Sequence, residues 1–303
     1  MLFIFRYTDK LPFWRCSKAA GWEKGHVTLL QLQDHQVGAP RRAKHSRHVP
    51  DAPAWAVRHR QPILIVTGMA AEARLAAGPG VTTVMTGGDP ARLRSLLRAR
   101  VRPDCRAVIS IGIAGALDPS LVPGDVIVAT GVAAPERRYA ASSIVAHRLA
   151  ARLCGHPKRV VMADVAGVDH AVVAPHAKRA LRKATGAHAV DMESHVAAAF
   201  AAHHGLPFAA VRVICDPAHH GLPGLVATAL HPDGKVNYGA VFRSLLQRPA
   251  QLFALPRLAR DAAEGFRGLR QCRELLGHGF GLHDLGEVAG DVGELVGEVE
   301  AAI

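Results

Sequence analysis

Little in this sequence could staple, span or stack. Its five cysteines, at positions 16, 105, 154, 215 and 272, form no CxxC pair and no metal-ligand spacing, which excludes a disulfide framework and a zinc finger or ribbon. No apolar run approaches the roughly 18–20 residues that cross a bilayer. Met1–Phe5 is too short for a secretory h-region and has neither a charged segment before it nor a small-residue cleavage site after it, so no leader is expected. Reduced thiols and no membrane span point to the cytoplasm. Aromatic residues are scarce at 5%, and all three tryptophans fall in the first 60 positions. No aromatic-interleaved basic stripe exists, so the net charge of +12 does not read as a nucleic-acid surface. His204, His219 and His220 have no carboxylate or cysteine at ligand spacing, so no metal is expected.

What is present divides unevenly along the chain. Residues 1–60 hold 11 Lys/Arg against 4 Asp/Glu. Their Pro, Ala, Arg and His content shows no sustained period of 2 or 3.6, which predicts a poorly ordered basic extension. Residues 281–303 hold 6 acids and no Lys or Arg, an acidic terminal segment. Between them, 61–240 reads as one α/β catalytic domain and 241–280 as an Arg-rich helical tail. That tail carries seven arginines and three acids between 241 and 276, interleaved with Leu and Phe. Pro249 and Pro256 are expected to break it into short helices. Such a segment either packs on the domain with a solvated Arg face or lies in a membrane interface.

Order begins at Pro62. Ile63–Val66, Ala107–Ile111 and Val126–Ala129 are short, wholly apolar runs, the mark of strands buried on both faces. Val81–Met85, Val160–Met162, His188–Val190, Phe208–Ile214 and the short Ala171–Val173 add further strands. Helices are expected over 70–77, from Asp89-Pro90 to about Arg100, and over 194–204; Asp suits the N-cap and Pro the first turn. Gly112–Gly115 reads as a Gly-rich strand exit. Strands alternating with helices imply a three-layer α/β sandwich around a mostly parallel mixed sheet. Ligands in such sheets sit beyond the carboxyl ends of the strands, and Glu72, Gly112–Gly115, Glu193 and Asp216 all fall there.

Four segments in order resemble the nucleoside phosphorylase/nucleosidase superfamily, nearest the branch that cleaves methylthioadenosine and S-adenosylhomocysteine. They are Gly68-Met69-Ala70-Ala71-Glu72, Ile109–Leu117 with Pro123–Val128 following, Ala189-Val190-Asp191-Met192-Glu193-Ser194, and Leu206–Phe208 followed by Val211–Asp216. Each string alone is weak; together, over 62–218, they are specific. Pro232-Asp233-Gly234 and Leu276–Gly281 extend the likeness to the hopanoid-associated phosphorylase subgroup. That subgroup implies cleavage of the N-glycosidic bond of adenosylhopane, an adenosine whose 5′ group is lipid-like.

The resemblance implies a role for each candidate. Asp216 matches the acid that protonates the leaving purine, a task needing a carboxyl pKa raised by desolvation. Glu193 matches the carboxylate that accepts from the ribose hydroxyls and stabilises the developing positive charge, with Met192 against the ribose. Glu72 matches the group that orients and deprotonates water in the hydrolytic branch. Gly112, Ala114, Gly115 and Val168 would line the ribose and purine pocket. The bland readings are a strand-end turn Asp, a helix-start Glu stabilised by the dipole, a solvated helix Glu and a tight strand–helix turn.

The pattern also departs from the family. Ile113 stands where relatives carry Ser or Thr. Gly88-Asp89-Pro90-Ala91-Arg92 mimics a phosphate loop but follows the second strand instead of the first. Arg74, Gly88 and Arg92 are therefore the candidate phosphate contacts, since a guanidinium fork suits phosphate oxygens. No cofactor is implied; phosphate would be the co-substrate of a phosphorylase. Two further expectations come with the resemblance: a homo-oligomer, and peripheral contact with the inner membrane face. A hydrolytic nucleosidase and a non-catalytic nucleoside-binding module are the alternatives.

Overall fold

A computed structural model describes residues 61–100, 104–222 and 255–282. The extension 1–60, residues 241–254 of the tail and residues 283–303 of the acidic segment lie outside the described residues. Those described form, in order, β1 (Ile63–Thr67), α1 (Ala70–Ala76), β2 (Val81–Met85), α2 (Pro90–Arg100), β3 (Ala107–Ala116), β4 (Val126–Ala133) and β5 (Arg138–Ala140). Then come α3 (Ser143–Arg152), β6 (Val160–Gly167), α4 (Pro175–Thr185), β7 (Ala189–Asp191), α5 (Ser194–His203), β8 (Phe208–Asp216) and α6 (Leu255–Leu276).

Successive side chains of a strand point to opposite faces of its sheet, and the apolar runs here are buried at both. Along β1, Ile63 and Ile65 enter one core while Leu64 and Val66 enter another. β8 alternates likewise, Val211 and Val213 joining the first and Phe208 and Ala210 the second. Each fully buried Val, Leu or Ile contributes about 1.5–3 kcal/mol, so both faces need a covering layer. Ala76 of α1, Val145 and Leu149 of α3, and Leu269, Cys272 and Leu276 of α6 close one face. Leu93 and Leu97 of α2, with Val196, Ala197 and Phe200 of α5, close the other. The result is the three-layer α/β sandwich that the apolar runs imply.

The strand order is β2-β1-β3-β7-β6-β4-β5, with β8 pairing both β3 and β4. The β1–β2, β1–β3, β3–β8, β4–β6 and β6–β7 pairs are parallel, and β3–β7, β4–β8 and β4–β5 are antiparallel. The middle of the sheet therefore closes on itself through β3, β8, β4, β6 and β7. Asp216, Met192 and Glu193 all leave it at strand carboxyl ends.

Four expectations change. Gly112–Gly115 is not an exit but the second half of β3, because Arg212, Val213 and Ile214 of β8 and Val190 of β7 give that backbone its ladder partners. Ala171–Val173 is no strand; its one ladder-like contact is Leu222 N–H donating to the Val173 carbonyl at 2.9 Å. β5, α3 and α4 form where no element was expected. The tail is not a set of short helices between 255 and 276 but one helix of 22 residues. Pro256 sits in its first turn, where a missing N–H costs nothing. Its apolar side packs on β8, while Arg257, Arg260, Arg267 and Arg270 are exposed. Among the described residues no helix is long and apolar enough to cross a membrane.

Candidate active site

Glu72, Glu193 and Asp216 are 3%, 8% and 5% exposed, so the sequence's three acids are buried ones. A carboxylate taken from water needs compensation, and each finds it differently.

Glu72 is the third residue of α1, and its carboxylate turns back over the helix start. Oε2 accepts from the backbone N–H groups of Gly68 at 2.9 Å and Met69 at 2.8 Å, the second a donor that a helix N-terminus leaves unpaired. Oε1 accepts from the N–H of Ile113 at 2.8 Å. The residue lacking the family's hydroxyl thus contributes its backbone, and a solvated helix Glu is not what forms. Burial pushes Glu72 above the usual Glu range, while the three N–H donors and Arg212 pull it back.

Glu193 caps the start of α5 directly after β7. Its Oε1 lies against Gly68, where a methyl group would stand 2.6 Å away; a methyl on Gly112 would stand equally close to Glu72 Oε1. Glycine at 68 and 112 is therefore what lets two carboxylates share one backbone corner. Burial, then Asp191, then Glu72 push Glu193 upward, against the pull of Arg212.

Beneath this pair lies a network that motif reading missed. Arg212, in the middle of β8, is 1% exposed. Its Nε donates to Asp191 Oδ2, and its Nη2 donates to Ser110 Oγ at 2.5 Å and Ser194 Oγ at 3.1 Å. Ser194 N–H in turn donates to Asp191 Oδ1 at 3.1 Å. The guanidinium is the fixed positive charge under Glu72 and Glu193. The one signal in the sequence was an arginine inside an apolar strand, which demands a buried partner; which partner it takes, only the fold decides.

Asp216 ends β8 opposite Gly115, where the β3–β8 register shifts. Its Oδ2 accepts from Lys178 Nζ of α4 at 2.5 Å. Oδ1 is buried with no hydrogen-bond partner among the described residues. Burial raises Asp216 and Lys178 draws it down. Gly112 beside Glu72 and Gly115 beside Asp216 are three residues apart on one strand, about 10 Å, a span that fits a nucleoside.

Of the other expected positions, Met192 is half-buried between β7 and Glu193, and Ala114 is buried in β3. Val168 donates its N–H to the Asp191 carbonyl at 2.9 Å, holding the β6 exit beside β7. Arg74 is exposed in the last turn of α1, and Gly88 and Arg92 are half-buried. Asp89 Oδ1 accepts from Arg92 N–H at 3.0 Å, a helix cap. Gly87 N–H donates to the Gly68 carbonyl at 2.8 Å, which sets the start of α2 beside the corner holding Glu72 and Glu193. Among the described residues no group of His, Cys, Asp and Glu could hold a metal ion.

The fold has solved counterparts. The 5′-methylthioadenosine/S-adenosylhomocysteine nucleosidase of S. pneumoniae superposes with a TM-score of 0.50 at 16% identity, over 72% of this chain and 100% of that one. The futalosine hydrolase of Helicobacter pylori gives 0.48 at 18%, over 62% of this chain and 98% of that one. No curated protein matches the sequence. A family profile described as the phosphorylase superfamily matches residues 46–246, a span that contains Glu72, Glu193, Asp216 and the network beneath them. The chain belongs to the phosphorylase superfamily.

Proposed function

We propose that the protein cleaves the N-glycosidic bond of a 5′-substituted adenosine, releasing adenine, with adenosylhopane as the substrate and phosphate as the nucleophile. One observation carries the cleavage: three buried carboxylates from separate segments meet at the strand ends, two sharing the corner at Gly68 and the third about 10 Å along β3. In this reading Asp216 Oδ1 protonates the purine as the bond breaks, and Glu193 accepts from the ribose hydroxyls and faces the developing charge at C1′. A module that only bound nucleosides would have no use for a desolvated Asp216 with Oδ1 left unpartnered.

Support for the nucleophile is divided. On the side of phosphate, Gly87 sets the start of α2 beside Gly68 and Arg92 stands in its first turn, a guanidinium suited to phosphate oxygens, though Asp89 already caps the Arg92 N–H. Water is the second reading, and Glu72 favours it: a carboxylate held by three N–H donors beside Glu193 suits a base better than a phosphate neighbour. The lipid-like 5′ group rests on the likeness of Leu276–Gly281 and Pro232–Gly234 to the hopanoid subgroup. Peripheral membrane contact, a cytoplasmic site at the inner face and a homo-oligomer belong to that same reading.

The test is to incubate the full chain with adenosylhopane and with 5′-methylthioadenosine, with and without phosphate, and to follow adenine and the sugar product. Phosphate dependence and a ribose 1-phosphate product are expected. The 5′-substituted ribose itself, unphosphorylated and formed at a phosphate-independent rate, would make Glu72 the water-activating base. No adenine from either nucleoside would leave only a binding module.

A further inference from the structure

Lys178 is the one lysine whose side chain is wholly enclosed among the described residues, at 0% exposure. It projects from α4, a helix whose neighbouring Arg179, Ala180 and Lys183 are exposed. An ammonium group has three donors, and here each finds an acceptor: Asp216 Oδ2 at 2.5 Å, the Pro217 carbonyl at 2.9 Å and the His220 carbonyl at 3.1 Å. No donor is left over for a ligand. Burying an ammonium is expensive without a charged partner, and an apolar side chain would fill that helix position at no such cost.

We propose that Lys178 is a positioning residue for glycosidic cleavage: it holds Oδ2 of Asp216, leaves Oδ1 to carry the proton, and stabilises the carboxylate left when Oδ1 gives that proton up. The inference rests on the acid role of Asp216. As the bond between C1′ and the purine breaks, its electron pair stays on the purine and the Oδ1 proton moves to a purine nitrogen. The nucleophile closes on C1′, and Asp216 becomes a carboxylate facing the Lys178 ammonium. The attraction between Lys178 and Asp216 is complete only after the proton has left, so it favours the transition state over the ground state.

Other charges also reach Asp216. Arg257 and Asp261 face it from α6, Asp261 raising and Arg257 lowering its pKa, while His220, Cys215 and Asp261 line the cavity at its side and His219 meets His220 edge-on. Burial pushes the carboxyl up, and Lys178 is the strongest influence pulling it down. Removing the ammonium therefore moves the titration of Asp216 to higher pH. The acid works only while protonated, so the alkaline limb of activity moves up with it.

The experiment compares the full chain with Lys178→Met, Lys178→Arg and Asp216→Asn. Adenine release from 5′-methylthioadenosine is followed across pH with phosphate present. The carboxyl stretch that Asp216→Asn removes is titrated by infrared difference spectroscopy. Lys178→Met is expected to lower kcat by on the order of 10²-fold, the scale for one preorganised group, with KM little changed and the alkaline limb displaced upward. Lys178→Arg restores rate and limb in part. A loss that is uniform across pH, or an Asp216 carboxyl that titrates as in the parent, overturns the proposal and leaves Lys178 a strut for the 217–220 turn. If Lys178→Met does not fold, Lys178→Gln, which keeps two N–H donors and no charge, carries the same expectation. An Asp216→Asn enzyme of near-parental rate would instead defeat the acid role, and the infrared titration still decides whether Lys178 governs Asp216.

Discussion

Asp216, Glu193 and Glu72 carry the same functional group in different surroundings, and the roles proposed for them differ accordingly. Asp216 is desolvated with one oxygen unpartnered, which suits a proton donor. Its amide variant, Asp216→Asn, is expected to bind nucleoside normally and to lose about 10²-fold or more in kcat; steady-state adenine release and a separate binding titration read the two effects apart. Glu193 faces the ribose in the proposed complex. Replacing it by Gln is expected to raise the barrier by about 2–4 kcal/mol. A 2′-deoxy substrate, lacking one of the hydroxyls it would hold, should lose less in the variant than in the parent. At Gly112 the issue is space: a methyl group 2.6 Å from Glu72 Oε1 must displace the carboxylate. Gly112→Ala is therefore expected to keep the fold, to lose about 1–3 kcal/mol of stability by overpacking, and to cut turnover. Thermal melting and rate assays on one preparation check both.

At the scale of elements, α6 shows tertiary packing overruling local preference. Glycine inside a helix costs roughly 1 kcal/mol relative to alanine, yet α6 carries Gly265 and Gly268, both buried. A methyl group on Gly265 would lie 2.7 Å from Cys215 Cβ, so the glycine is where the helix touches the strand that ends in Asp216. Gly265→Ala sets a propensity gain of ~1 kcal/mol against an overpacking cost of ~1–3 kcal/mol. The cost is expected to win, with a lower Tm, and with reduced activity because Cys215 adjoins Asp216. A variant that melts higher than the parent would show that α6 can shift without loss. The same helix explains the exposed arginines: its apolar side is spent on β8, and Arg260, Arg267 and Arg270 are what remains outside.

For the molecule as a whole, the site is held at the expense of stability. Glu72, Glu193 and Asp216 are all raised from their ordinary values by burial, Glu193 to about 8. A carboxyl raised in the folded state favours folding in full below its unfolded pKa, and that contribution is lost as pH climbs through the folded value. For Glu193 the window runs from 4.5 to about 8. Asp118 and Asp164 work in the opposite sense. Their pKa values are lowered, Asp164 chiefly by Arg138 and Asp118 by Ser120 and Arg182 against its burial. Their contribution is present above the usual Asp range and lost as pH falls below it. The ligand-free protein is thus expected to be most stable near pH 5 and to melt progressively lower toward pH 8.5. Glu193→Gln, which cannot ionise, should flatten that decline and melt a few degrees higher than the parent at pH 8, while remaining the poorer enzyme. Melting curves of both proteins between pH 4 and 9 check the sign.

By itself the sequence determined the layers and offered the three acids as candidates. Wholly apolar runs such as Ile63–Val66 are the mark of strands buried on both faces, and their alternation with helices implies a covered, mostly parallel sheet. Glu72, Glu193 and Asp216 were legible because each stands in a motif at a strand end. What encloses those acids was not legible, because it depends on neighbours distant in the chain. Arg212 meets Asp191, Ser110 and Ser194 only when β8 lies between β3 and β4. Lys178 reads as one more surface lysine of a polar helix until α4 docks and its ammonium reaches Asp216. Gly112 reads as a turn until Ile113 N–H and the Glu72 carboxylate claim the same corner. Motif and period are local and written along the chain; desolvation, close approach and ion pairing are properties of atoms brought together, and only the tertiary structure decided those.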